Sequence, residues 1–292
     1  IKGSGKDGRI TLQDIEELVR QEQAGEPVQT QQSPPVVPHV ETDEKEEPVQ
    51  TRYSPPVRPS VETETIAHNK MRKRIADNMV ASLMHTAPHV TAVFEADLGA
   101  VMQHRATHKR SFESAGIPLT LTAYFVAAAV AGIQKVPQVN SRWFDDHLDI
   151  YHHINMGIGT ALGDEGLIVP VIHDVQDMDL NAIAARLADL TKRARDKSLK
   201  PEDVRDGTFT ISNHGVSGSL FATPIIINQP QSAILGVGKI EKRVKIREID
   251  GQDVITIKPM CYISLTIDHR VLDGHQTNAF LSTMVETLET WS

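Results

Sequence analysis

The sequence predicts a two-layer α/β domain from about Ile66 onward, with a mixed sheet and helices packed on one side of it. Three observations carry that expectation. Alternating apolar runs mark strands, most clearly Met260–Asp268, where Cys261, Ile263, Leu265 and Ile267 share one face and Met260, Tyr262 and Ser264 the other. Stripes at helical spacing mark amphipathic helices, such as Leu180, Ile183, Ala184, Leu187 and Leu190. Strands and helices also interleave along the chain.

In order, Met71, Ile75, Met79 and Leu83 predict a helix over Asn69–Met84, which Pro88 ends. His89–Asp97 reads as a strand, and Leu98–Ala115 and Leu119–Lys135 as helices. The apolar stretch from Ile117 to Ile133 is alanine-rich and carries Thr120, Thr122 and Tyr124, so it reads as a buried helix and not a membrane span. Ile154–Leu162 and Leu167–Ile172 are strands joined by the turn Gly163-Asp164-Glu165-Gly166. A helix follows from Leu180 to near Lys197. Thr208–Ser212, Ala233–Val237, Arg243–Glu248, Val254–Ile257 and Met260–Asp268 are further strands. Phe280, Leu281, Met284, Val285 and Leu288 give the last helix its buried face.

Composition narrows the function. A hydrophobic content of 40% supplies a substantial core, and a net charge of -8 without a basic stripe argues against nucleic acid as partner. The single cysteine, Cys261, excludes an internal disulfide framework and fits a reducing compartment. It reads as a small buried hydrophobe.

Upstream of Ile66 the pattern changes. Residues 1–20 read as a glycine turn and a short helix with Leu12, Ile15, Leu18 and Val19 on one face, too small a face to bury itself. Residues 21–65 read as a flexible acidic linker. Glu26–Thr42 recurs as Glu47–Thr63 at an offset of 21, with 13 of 17 positions identical, and the repeat is rich in Pro-Pro and nearly free of large apolar side chains.

His-x-x-x-Asp occurs three times, at His39/Asp43, His173/Asp177 and His269/Asp273. The first lies in the Pro-rich stretch. Spacing alone leaves the second and third both open, since each follows an apolar run. A histidine at a strand end suits general base chemistry, because its ordinary pKa of about 6.5 lies near neutral pH.

Four ordered blocks separate the two. Asp268-His269-Arg270-Val271-Leu272-Asp273-Gly274 resembles the active-site signature of the dihydrolipoyl acyltransferase core components of 2-oxo acid dehydrogenase complexes. Met71–Ala76 with Pro88–Thr91, Gly166–Ile172, and Gly207–Asn213 running on to Ala233–Gly236 resemble further blocks of that family, in its order. The resemblance spans about Ile66 to Trp291. Residues 1–20 resemble the second half of a peripheral-subunit-binding domain.

The resemblance implies the fold of chloramphenicol acetyltransferase, a trimer, and a reaction that moves an acyl group between dihydrolipoamide and coenzyme A. His269 is then the base that takes the thiol proton, and Ser212 the hydroxyl that stabilises the oxyanion. Asp273 either polarises His269 or pairs with Arg72 to hold the loop, and Asp268 and Arg270 orient the turn. His214 departs from the small or aliphatic residue usual there and reads as a solvated loop histidine. Gly238 stands where the succinyltransferase branch tends to have histidine, whereas Gly218-Ser219-Leu220 and Pro230-Gln231-Ser232 lean towards that branch, so the acyl group stays open.

The implied cofactor is lipoate on a lipoyl domain that this chain does not contain, with coenzyme A as substrate. The site chemistry calls for no metal. The implied partners are two further copies, a larger cage, and the 2-oxo acid decarboxylase and dihydrolipoyl dehydrogenase components, with no membrane. The implied compartment is the bacterial or archaeal cytoplasm, or the mitochondrial matrix. A non-catalytic core subunit that only binds the dehydrogenase is the competing reading, and it gives no reason to keep both His269 and Ser212.

Overall fold

The computed structural model describes residues 62–163 and 166–292. The expectations for residues 1–20 and for nearly all of the 21–65 linker lie outside the described residues. A compact unit runs from Thr65 to Ser292.

It opens with α1, Lys70–Val80, capped by the Asn69 side chain, which accepts from the Arg72 N–H, and extended by a π-helical turn over Ala81–Thr86. There follow β1 (His89–Asp97), α2 (Gly99–Ser114), α3 (Leu121–Lys135), the hairpin β2 (Ser141–Trp143) and β3 (Leu148–Ile150), then β4 (Met156–Ile158), β5 (Thr160–Ala161), β6 (Leu167–Ile168) and β7 (Val171–Ile172). After α4 (Leu180–Arg195) come β8 (Phe209–Asn213), β9 (Ala233–Val237), β10 (Glu241–Ile249), β11 (Gln252–Asp268) and α5 (Gly274–Glu289).

The main sheet has seven strands in the order β1-β11-β9-β8-β4-β7, with β10 paired to β11. It is mixed: β8 runs parallel to both β4 and β9, and the other pairs are antiparallel.

Period-2 alternation decides which face is the core. Cys261, Ile263, Leu265 and Ile267 of β11, Ala233, Leu235 and Val237 of β9, and Phe209 and Ile211 of β8 are all buried in one cluster with residues of α3, α4 and α5. Helices α2 to α5 therefore lie on that one face. Phe280 of α5 is fully buried, and a Cβ at Gly132 of α3 would stand 2.7 Å from its ring. That close approach is why α3 needs glycine there, and burying such a ring contributes about 2–3 kcal/mol.

The structure departs from the sequence reading in three places. The predicted strands Val254–Ile257 and Met260–Asp268 are one 17-residue strand, β11. Pro259 does not break it, because β1 has ended on that side and the Pro259 carbonyl accepts from the Leu98 N–H at 2.8 Å instead. Ile154–Leu162 and Leu167–Ile172 split into the short strands β4 to β7 around Gly159 and Pro170. The β2–β3 hairpin, its strands only three residues each, carries no periodicity that a sequence pattern resolves.

The turn between β10 and β11 has Asp250 at φ 53° and Gly251 at φ 76°, the left-handed pair that a two-residue hairpin requires.

Candidate active site

The face of the sheet opposite the helices is polar along its centre. Thr266 and Ser264 of β11 and Thr210 of β8 are buried there, beneath a strap of chain from Ser219 to Gln231. Hydrogen bonds seat the strap. Ser264 Oγ donates to the Ala222 carbonyl at 3.2 Å, the Ile225 N–H donates to Thr266 Oγ1 at 3.2 Å, and Thr210 Oγ1 donates to Gln231 Oε1 at 2.7 Å. Ser82 Oγ donates to the Ile227 carbonyl at 2.6 Å.

His89 holds the strap as well. The Ile227 N–H donates to its Nε2 at 3.1 Å, so Nδ1 carries the proton and donates to the Ala87 carbonyl at 2.7 Å. Sequence reasoning found His89 only as part of a family block. The alternation of Tyr262, Ser264 and Thr266 was the available signal that this face carries polar packing.

Ser212 is on this face. It lies on β8 in register with Gly236 of β9, which is in turn in register with Ser264 of β11. The next residue, Asn213, points the other way and donates to Thr122 Oγ1 on α3 at 3.2 Å, pinning the strand end. Ser212 is half-buried, and its hydroxyl has no partner among the described residues.

His269 lies in the turn that ends β11. Its N–H donates to the Pro88 carbonyl at 2.9 Å, tying the turn to the start of β1, and its side chain is exposed. Beneath it, buried Asp268 takes Arg270 in a two-pronged pair, with Nε at 3.0 Å from Oδ1 and Nη2 at 2.6 Å from Oδ2. The Arg270 guanidinium also stacks 5.2 Å from the Trp143 ring. Asp268 and Arg270 thus shape the turn, and the Asp268 carboxylate raises the Arg270 pKa above its ordinary value.

Asp273 does neither job expected of it within one chain. It is the N-cap of α5, in a reciprocal box with Gln276. Its Oδ1 accepts from the Gln276 N–H at 3.0 Å, and Gln276 Oε1 accepts from its own N–H at 3.1 Å. The Gln276 N–H, then those of His275 and the charges of His275 and His269, hold its carboxyl below the usual range against a small burial effect. Arg72 contributes its backbone N–H to the Asn69 cap, and its guanidinium has no partner among the described residues.

His214 corrects the sequence reading. It is not solvated: both ring nitrogens are buried without a hydrogen-bond partner, and burial pushes its pKa below the ordinary value against a glancing backbone contact from Ser212. The loop packs closely against its neighbour, since a Cβ at Gly215 would meet the Gly238 carbonyl at 2.2 Å. Gly238 is equally crowded. A Cβ there would lie 2.0 Å from the Leu220 carbonyl, so no side chain fits on this backbone.

The other His-x-x-x-Asp pair is not a dyad. His173 Nε2 donates to the Glu202 carbonyl at 3.1 Å, while Asp177 accepts from Gln176 at 3.0 Å. Cys261 is fully buried, and burial pushes its thiol up to about 12, which removes it as a nucleophile.

Ser212 and His269 do not meet within one chain. His269 lies five positions beyond Ser264, in the turn after β11, and two strand spacings separate Ser264 from Ser212, which places the two side chains about 20 Å apart. A cleft of about 730 Å³ runs past Arg142, Tyr151, His153, His173 and Thr208, and a second of about 390 Å³ lies between Met71, Ile75, Val169 and Gln231. Neither is lined by Ser212 or His269. No helix among the described residues is long and apolar enough to cross a membrane.

Comparison with known proteins places the chain in a family. The dihydrolipoyllysine-residue succinyltransferase component of the 2-oxoglutarate dehydrogenase complex of Rickettsia bellii is 36% identical over 292 residues, 99% of this chain and 65% of that protein. The dihydrolipoyllysine-residue acetyltransferase component of the pyruvate dehydrogenase complex of Mycobacterium tuberculosis is 37% identical over 224 residues, 76% of this chain and 40% of that protein. The chain thus spans less than two thirds of the length of these relatives.

Among solved structures, a probable dihydrolipoamide acetyltransferase of Listeria monocytogenes superposes with a TM-score of 0.73 at 35% identity, over 79% of this chain and 96% of that one. The cubic core of a pyruvate dehydrogenase multienzyme complex matches with a TM-score of 0.73 at 28% identity, over 81% of this chain and 98% of that one. Residues 60–292 match the family described as 2-oxoacid dehydrogenases acyltransferase (catalytic domain), and the chain belongs to that family.

Proposed function

We propose that this chain transfers an acyl group between the thiols of dihydrolipoamide and coenzyme A, at sites completed by two copies of the chain. The observation that carries this reading is the separation of Ser212 and His269. Each is presented at a strand end or sheet face with no partner for its reactive atom among the described residues, yet they stand about 20 Å apart in one chain. A base and an oxyanion donor acting on one thioester need to lie within a few ångströms of it. Bringing His269 of one copy to Ser212 of another supplies both, and a closed ring of three copies repeats that contact in each interface.

In this reading neutral His269 takes the thiol proton as the sulfur attacks the acyl carbonyl, and collapse of the tetrahedral intermediate breaks the bond to the other sulfur, whose thiolate leaves and regains the proton from His269. A free thiol, with a pKa near 8.5, is mostly protonated at neutral pH, so the base raises the rate of attack. The Ser212 hydroxyl donates to the oxygen on which negative charge develops, and no step calls for a metal. The lipoyl group arrives on a lipoyl domain, and the decarboxylase and dihydrolipoyl dehydrogenase components supply and reoxidise it. Copies of the trimer build a larger core.

Subunit exchange tests this. His269→Ala and Ser212→Ala proteins, each strongly impaired in acyl transfer from acyl-CoA to dihydrolipoamide, are mixed, dissociated and reassociated. Recovery of activity is expected, because mixed interfaces contain some intact sites. No recovery with exchange verified by mass-labelled copies overturns the shared site.

A further inference from the structure

The dipeptide Pro88-His89, where the chain enters β1, is bonded to both the strap and the His269 turn. On one side the Pro88 carbonyl accepts from the His269 N–H at 2.9 Å. On the other, His89 Nε2 accepts from the Ile227 N–H of the strap at 3.1 Å. Between them, His89 Nδ1–H donates to the Ala87 carbonyl at 2.7 Å, which closes a ring around Pro88. Proline already fixes its own φ, so that ring leaves the Pro88 carbonyl little freedom to turn away from His269.

The strap side of the contact is held as firmly. The Ile227 carbonyl accepts from Ser82 Oγ at 2.6 Å, and the Ile227 side chain is buried. Two residues earlier, the Ile225 N–H donates to Thr266 Oγ1, which lies 2.8 Å from Thr91 Oγ1 on β1, two residues along from His89. Ile225 packs on the floor beside Ser212, since its Cδ1 would stand 2.4 Å from a Cβ at Gly236, the residue in register with Ser212. Beyond the strap, the Ser232 carbonyl accepts from the Asp268 N–H at 2.8 Å. Asp268 is in register with His89 and directly precedes His269.

We propose that His89 is a positioning residue for acyl transfer, holding in one geometry the strap beside Ser212 and the turn that presents His269. This rests on the acyl-transfer reading above, in which the His269 and Ser212 of one chain serve two different sites. His89 then couples those two sites through a single side chain. Both of its ring nitrogens are engaged, so it acts on the reaction through geometry and not through a proton of its own. Only the neutral ring protonated on Nδ1 makes both bonds, because a proton on Nε2 would face the Ile227 N–H. The leverage is large: a misplacement of about 1 Å at a reacting group can cost about 10²-fold in rate.

Comparing His89→Gln with His89→Leu in the full chain tests this. Glutamine carries an oxygen that can reach the place of Nε2 and accept from the Ile227 N–H, and leucine carries none. In steady-state acyl transfer from acyl-CoA to dihydrolipoamide, kcat should fall about 10–100-fold for His89→Leu with KM within about twofold, and return to within about fivefold of wild type for His89→Gln. Hydrogen exchange read by mass spectrometry gives a second measure. In His89→Leu both the strap, Ser219 to Gln231, and the turn, Asp268 to Leu272, should exchange faster. Ser82→Ala releases only the Ile227 carbonyl, so it should speed the strap and spare the turn. Where circular dichroism shows that His89→Leu does not fold, His89→Asn replaces it. Its amide lies near the place of Nδ1 and cannot reach Ile227, so it should lose kcat where His89→Gln keeps it. Wild-type kcat in His89→Leu, equal losses in the glutamine variant and its counterpart, or a turn whose exchange is unaltered overturns the proposal. Near-full activity of both Ser212→Ala and His269→Ala in the same assay is a different result, and it overturns the acyl-transfer reading itself.

Discussion

Asp273 and Gln276 cap each other's backbone at the start of α5, four residues beyond His269, through bonds of 3.0 and 3.1 Å. The helix start therefore sets where the His269 turn ends. Asp273→Asn keeps an oxygen that accepts from the Gln276 N–H, whereas Asp273→Ala loses it. We expect a fall in Tm of about 2–4 °C for the alanine variant and little change for asparagine, by differential scanning calorimetry. A fall of the same size for both would assign Asp273 a charge role instead of a cap.

The base and the oxyanion donor separate kinetically. His269→Ala should lower acyl transfer by about 10²–10⁴-fold at pH 7, with part of the loss returning as pH rises towards about 8.5, where the thiol ionises unaided. Ser212→Ala should lower kcat by about 10²–10³-fold with little change in KM and an unaltered pH profile, since the lost contact exists in the transition state. Steady-state rates between pH 6 and 9 check both. Near-full activity of Ser212→Ala would reduce its hydroxyl to a packing group.

Asp203 anchors the end of α4. Its side chain is 4% exposed and takes both Arg193 amino groups, Nη1 at 2.5 Å and Nη2 at 2.8 Å. Those bonds push its carboxyl down to about 2, burial opposing and the Lys200 N–H assisting. The folded pKa lies below the unfolded one, so the unfolded chain binds the proton first. The stabilisation is complete above about pH 4 and is lost as pH falls through 2. Asp203→Ala should destabilise by about 2–3 kcal/mol at pH 7, less than a fully buried pair because Arg193 retains contact with water. Urea unfolding at pH 7 and pH 2.5 checks this: the gap between variant and wild type should shrink at the lower pH.

Gly236 is the floor between Ser212 and Ser264. A Cβ there would stand 2.3 Å from Ser264 Oγ and 2.4 Å from Ile225 Cδ1. Gly236→Ala should destabilise by about 1–3 kcal/mol through overpacking, and loosen the strap. Limited proteolysis is the second measurement, with faster cleavage between Ser219 and Gln231 expected. An unchanged cleavage rate would mean that Ile225 yields without moving its backbone.

Long periodic segments were legible in the chain because periodicity reports burial directly. β1, β9 and the helices α2 to α5 lie within a few residues of where the apolar spacing places them. The expectation of two strands, Val254–Ile257 and Met260–Asp268, differs from the single β11, because proline disrupts a strand only where a neighbour needs its N–H, and at Pro259 that depends on where β1 ends. His214 was misread for a related reason. Its loop looks polar in one dimension, yet the close contacts at Gly215 and Gly238 close over it.

The amino-acid order by itself determined the layer architecture, the polar and apolar faces of β11, and the pairing of a strand-end histidine with a serine block in one recognisable family. Only the tertiary structure decided that Asp273 caps a helix, that His89 and Thr266 hold the strap, and that Ser212 and His269 lie about 20 Å apart. The physical reason is that helix and strand formation depend on neighbours a few residues away. Register across β8, β9 and β11 joins residues more than fifty positions apart, and no local pattern encodes which of them will face one another.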